Sequence, residues 1–111
     1  MISRLFGLVV LATFAASPAY AQGDAKLGEK LYVEQKCAMC HSVAAKGNAK
    51  GPLDDVGSRL SADELRQWIV DAPGMTAKTK STRKPLMRSY PKLTTEQVDA
   101  LVAYMQTLKK K

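Results

Sequence analysis

The sequence predicts an all-α domain, and three observations carry that prediction. Two capping boxes, Ser61-Ala62-Asp63-Glu64 and Thr94-Thr95-Glu96-Gln97, each introduce a stretch whose apolar residues recur at helical spacing. No stretch alternates apolar with polar residues as a half-buried strand does. Four of the five prolines fall in two segments, Ala44 to Leu60 and Pro73 to Lys92, which read as the loops between helices.

Taken in chain order, the first segment is not part of the fold. Leu5 to Ala16 is uncharged and follows the single Arg4, but it is too short to span a bilayer, for which about 20 apolar residues are needed. Ala19-Tyr20-Ala21 then offers the small residues of a signal-peptidase site, so residues 1–21 are expected to be a cleaved export signal rather than an uncleaved anchor or a core helix. Residues 22–111 form the single domain. It is basic, with 16 Lys and Arg against 10 acids. A domain this small buries only roughly 60–68% of its unfolded surface, so its core needs a supplement: a metal, a disulfide or a large cofactor.

The first helix should begin at Ala25, with Asp24 as N-cap, and run to the cysteines, with Leu27, Leu31 and the stem of Glu34 along one side. Ser61 opens the second, stapled by Leu60 and Leu65 and presenting Leu65, Trp68 and Ile69, and Pro73-Gly74 should stop it. Thr94 opens the last, stapled by Leu93 and Val98. Its stripe of Val98, Leu101, Val102, Met105 and Leu108 is core.

The supplement is encoded by Cys37-Ala38-Met39-Cys40-His41. A disulfide between cysteines three apart would close too short a loop to constrain the unfolded chain. A thioredoxin-like pair wants a βαβ setting, and a closed zinc site wants four ligands where the chain has three Cys and His residues in all. C-x-x-C-H is instead the pattern of covalent c-type haem attachment, with Cys37 and Cys40 as thioethers and His41 as an iron ligand. In a helical segment the three side chains share one face.

With one His in the chain, the second axial ligand is Met, Lys or nothing. Met1 leaves with the signal, Met39 sits between the anchoring cysteines, and Met105 belongs to the core stripe. Met75 and Met87 remain. Met87 lies in Lys84-Pro85-Leu86-Met87-Arg88-Ser89-Tyr90-Pro91, where two prolines hold the backbone extended and no helical face claims the side chain, so Met87 is favoured as the ligand.

At these residues the chain resembles the class I cytochromes c over nearly all of residues 22–111. The match rests on Gly28 and Tyr32 ahead of the haem motif, Lys50-Gly51-Pro52 with Val56-Gly57, and Met87 ahead of Leu93 and Leu101-Val102-Ala103-Tyr104. The resemblance implies the cytochrome c fold, three to four helices wrapped around one covalently bound haem c. It implies that Pro52 offers its carbonyl to the His41 imidazole, unless Pro52 only makes a turn. Trp68 resembles a haem-wall residue reaching a propionate, or else is plain core. Gly28, Tyr32 and Tyr104 resemble the crossing of the first and last helices.

From Ala72 to Thr95 the chain carries Lys78, Lys80, Arg83, Lys84, Arg88 and Lys92 and no acid. This run around Met87 is either a solvated surface or a docking face for acidic redox proteins. Its one aromatic, Tyr90, is too little to stack nucleic-acid bases. The expectation is a soluble, periplasmic electron carrier, not an enzyme: a monomer that is not inserted in the membrane after signal cleavage and does not bind nucleic acid. A haem peroxidase with an open sixth position, or a cytochrome subunit of a larger oxidase or dehydrogenase, is the alternative.

Overall fold

The computed structural model describes residues 23–110, together with Gly7. The expected export signal and its cleavage site lie outside the described residues, apart from Gly7. Helix α1 spans Ala25–Glu34, a 3-10 turn covers Cys37–Met39, and two-residue strands β1 (Ser42–Val43) and β2 (Lys46–Gly47) pair antiparallel. There follow a one-turn α2 (Val56–Arg59), α3 (Ala62–Val70), α4 (Ala72–Thr79) and α5 (Thr95–Thr107). The domain is all-α, with four helices of eight or more residues among those described.

Local chemistry explains where each helix begins. The Asp24 carboxylate accepts from the Lys26 and Leu27 amides at 3.0 and 3.1 Å. Both capping boxes close reciprocally: Ser61 Oγ accepts from Glu64 N while Glu64 Oε1 accepts from Ser61 N, each at 3.1 Å, and Thr94 and Gln97 repeat the exchange at 3.2 and 2.9 Å.

Three expectations are corrected. Helix α1 stops at Glu34, short of the cysteines, because Lys36 takes a left-handed conformation (φ 58°). Its buried face is Gly28, Leu31 and Tyr32, while Glu34 is exposed and pairs with Lys30 at 3.7 Å. The segment from residue 44 to 60 is not wholly loop, since it contains β2 and α2. Pro73-Gly74 does not merely end α3. Asp71 ends that helix and caps the next, its Oδ1 accepting from Gly74 N at 3.1 Å, and Pro73 sits in the first turn of α4. A proline in a first turn removes an N–H that would have had no partner there, so a stop signal and a start signal look alike in sequence.

The core is one cluster of Leu31, Tyr32, Val56, Leu65, Ile69, Val98, Ala100, Leu101, Val102 and Met105. Its axis is the crossing of α1 on α5. A Cβ at Gly28 would overlap the Ala100 carbonyl and lie 2.7 Å from Tyr104 Cβ, so only glycine permits the approach. Beside it the Tyr32 and Tyr104 rings meet edge to face, 5.7 Å between centroids at 63°. Helix α3 is tied to α5 by the Arg66–Asp99 ion pair. The C-terminal segment holds α2, with Gly57 N donating to Leu108 O at 2.7 Å and Lys110 N to Ser58 Oγ at 2.9 Å.

Candidate haem site

The left-handed Lys36 turns the chain into the tight coil that carries the thiols. Cys40 N and His41 N both donate to Cys37 O, at 3.1 and 2.9 Å. Cys37 and Cys40 are free and half-buried, whereas Met39 between them is 68% exposed and points away from any interior role. Burial pushes the Cys37 thiol up, against Arg88 and the Tyr90 hydroxyl, which pull it down.

His41 is half-buried, and its Nδ1–H donates to Gly51 O at 3.0 Å. That bond orients the ring and leaves Nε2 as the free nitrogen, the arrangement in which a metal-ligating imidazole is held. Burial lowers the imidazole pKa, the Gly51 bond opposes this, and Arg83 lowers it further, a balance that favours the neutral form an iron ligand requires.

The acceptor is a correction. The carbonyl expected of Pro52 is supplied by Gly51, whose oxygen also accepts from Ser42 N at 3.1 Å. Pro52 is exposed and bridges Ser42 in parallel fashion, with Leu53 N donating to Ser42 O at 2.8 Å. Having no N–H, Pro52 lets the bridge form through its neighbours. Gly51 is buried, and a Cβ there would overlap the Cys40 carbonyl and the Arg83 guanidinium.

Met75 and Met87 are in different settings. Met75 is buried on the inner face of α4 beside the fully buried Ala72, whereas Met87 is half-buried in the irregular segment before α5. That segment is anchored at both ends. Tyr90 N donates to Ile69 O and Ala72 N donates to Ser89 Oγ, both at 3.0 Å, and upstream Arg83 Nη2 donates to Cys40 O. The Arg88 guanidinium lies 5.7 Å over the Tyr90 ring. Trp68 is half-buried and is neither a member of the core cluster nor one of the residues packed against it, so it is not plain core.

Sequence reasoning missed two participants. Gly51 lies in the Gly51-Pro52 pair that the sequence marks, but the resemblance implies an acceptor only at Pro52, with a simple turn there as the other reading. Arg83 had no local signal, since its contacts are 42 and 43 residues away in the chain, and it read as one more surface cation.

The residues present fit a covalently held haem: two thiols on one turn, an imidazole with one nitrogen held and one free, and a thioether in an anchored loop. Tyr32 Oη is consistent with this. It is buried without a partner among the described residues, and a neighbouring group is what such an orphan lacks.

Comparison with known proteins agrees. The family described as Cytochrome c matches residues 25–109. A cytochrome c oxidase subunit 2 of Alkalihalophilus pseudofirmus is 29% identical over 94 residues, 77% of this chain and 26% of that protein. A cytochrome c-551 of Roseobacter denitrificans is 34% identical over 58 residues, 46% of this chain and 40% of that protein. The chain therefore spans well under half the length of either relative. No solved structure matches it significantly. With its C-x-x-C-H turn, its all-α core and this match, the chain belongs to the cytochrome c family, as a class I c-type cytochrome carrying covalently bound haem c.

Proposed function

We propose that this cytochrome is a soluble, exported electron carrier of the periplasm, with His41 and Met87 as the axial ligands of a single haem. The observation that carries the reading is the His41 imidazole, oriented by its Nδ1–Gly51 O hydrogen bond so that Nε2 is available. When bound, haem iron supplies a one-electron Fe(II)/Fe(III) couple, and the protein sets its potential and access. His and thioether ligation raises the potential relative to harder ligand sets, since a soft, neutral sulfur favours ferrous iron. No helix among the described residues is long and apolar enough to cross a membrane.

The chain's own residues do three things for such a couple. Gly51 and the Cys37–Met39 turn fix the imidazole. The Ile69, Ala72 and Cys40 anchors hold the loop that carries Met87. Lys78, Lys80, Lys84, Arg88 and Lys92 are exposed, take part in no ion pair among the described residues and lie within or next to that loop in the chain, which suits docking of acidic redox proteins by steering. Arg83, the sixth cation of the run, turns inward and is not part of that face.

Spectra of the holoprotein test the ligand set. Met87→Ala should open the iron to added ligands and yield peroxidase activity, while Met75→Ala leaves the low-spin spectrum intact; the reverse result transfers the role to Met75. A second reading, that the chain serves as a docked cytochrome unit of a terminal oxidase, is favoured by the relative whose printed name is cytochrome c oxidase subunit 2. Co-purification with an oxidase from native membranes would support it over the free carrier.

A further inference from the structure

One side chain of the Met87 loop reaches back onto the haem motif. Arg83 is half-buried, its Nη2 donates to the Cys40 carbonyl, and its Nη1 lies 3.4 Å from His41 Nδ1. The same imidazole nitrogen donates to Gly51 O, and Gly51 presses against the guanidinium closely enough to exclude a Cβ. No carboxylate pairs with Arg83 among the described residues, so its charge is uncompensated where it sits.

We infer that Arg83 is a positioning residue that also sets the potential, holding the segment that carries His41 and placing an uncompensated positive charge behind the ligand imidazole. The inference rests on the proposed role of His41 and deepens it. Two effects act in the same direction. Oxidation adds a positive charge at the iron, and a fixed cation nearby disfavours it; in a half-buried place that repulsion is screened less than on the surface. A cation beside the Nδ1–H also withdraws electron density from the ring, the opposite of what a carboxylate partner does to a metal-bound His. Both favour the ferrous form and so raise the potential. The planar fork of Arg lets one group hold Cys40 and face His41 together, which a Lys ammonium does less well.

The test is a redox titration of the holoprotein, with circular dichroism to show folding and NMR exchange of the ferrous His41 Nδ1–H to read the ring's environment. Arg83→Gln should shift the one-electron equilibrium toward ferric iron by three- to tenfold, tenfold being about 59 mV, with the low-spin spectrum kept and Nδ1–H exchange faster. Lys84→Gln removes the same charge one residue on, from an exposed site, and should stay within about twofold of the wild type because water screens it. Arg83→Lys keeps the charge and decides the matter should the Gln variant not fold: a potential within about twofold of the wild type, with faster exchange, supports the assignment. Folded Arg83→Gln with the wild-type potential, equal shifts for Arg83→Gln and Lys84→Gln, or a tenfold fall in Arg83→Lys would overturn it. Loss of the Met87 reading alone would leave it standing, since Met87→Ala would then spare the low-spin spectrum while the Arg83→Gln shift, acting through His41, persisted.

Discussion

Gly28→Ala places a methyl group in the tightest approach of the molecule. The new Cβ would lie 2.7 Å from Tyr104 Cβ and from the Ala100 carbonyl carbon, and would overlap the Ala100 oxygen. Carbon atoms in contact prefer about 3.5–4.0 Å, so the two helices must part by roughly 1 Å. The obstacle is α5 backbone and cannot rotate aside as a side chain would. Overpacking of this kind costs about 1–3 kcal/mol, and a backbone obstacle argues for the upper end. Helix propensity returns about 0.5–1 kcal/mol, because alanine loses less backbone freedom than glycine inside α1. The balance is a loss of about 2 kcal/mol, or about 8–16 °C in Tm for a domain of this size. A domain with about 5–15 kcal/mol of stability survives it, so the variant should fold and take up haem. Far-UV circular dichroism of the holoprotein through a urea or thermal transition reads the change. Ala100→Gly should not rescue the variant, since the overlap is with the residue's main chain. A midpoint at or above that of the wild type would refute the close crossing of α1 on α5.

Two further outcomes follow from the surface and from the buried phenol. Lys84→Glu should slow electron transfer to an acidic partner at low salt, and the gap from the wild type should close as salt rises, because exposed charges are screened beyond about 8 Å at physiological ionic strength. Lys110→Glu, on the C-terminal segment beside Ser58, should do much less; equal slowing by both, seen in stopped-flow rates, would reduce the basic run to a solubility feature. Burial pushes the Tyr32 hydroxyl up to about 12 from its ordinary 10. Its neutral form is therefore favoured in the folded state, and the stability this gives is complete below pH 10 and lost as the pH rises through 12. Tyr32→Phe should flatten that loss in urea midpoints compared at pH 9 and 11. A variant as alkali-sensitive as the wild type would place the titration elsewhere.

Whatever depends on neighbours in the chain is legible from the residue types alone. The Asp24 cap, both capping boxes and the stripe of α5 are short-range devices, and each closes as its residue types require. The haem motif is equally local: Cys37 opens a 3-10 turn, Cys40 caps it, and the next residue, His41, is tied back to the turn by its N–H on Cys37 O. Of the contacts that span the chain, the crossing at Gly28, Tyr32 and Tyr104 was implied by the family resemblance, and the others were settled only by the fold. Pro73-Gly74 could end one helix or begin another, and the Asp71 carboxylate on Gly74 N made it begin α4, because proline breaks only the helix that needs its N–H. Either carbonyl of Gly51-Pro52 could have received the imidazole; the bridge with Ser42 turns the Gly51 oxygen toward His41 and leaves Pro52 exposed. Arg83 has the composition of a surface cation and the position of an interior one. No local pattern separates the two, because what draws a guanidinium inward is a carbonyl 43 residues away that only the folded chain presents.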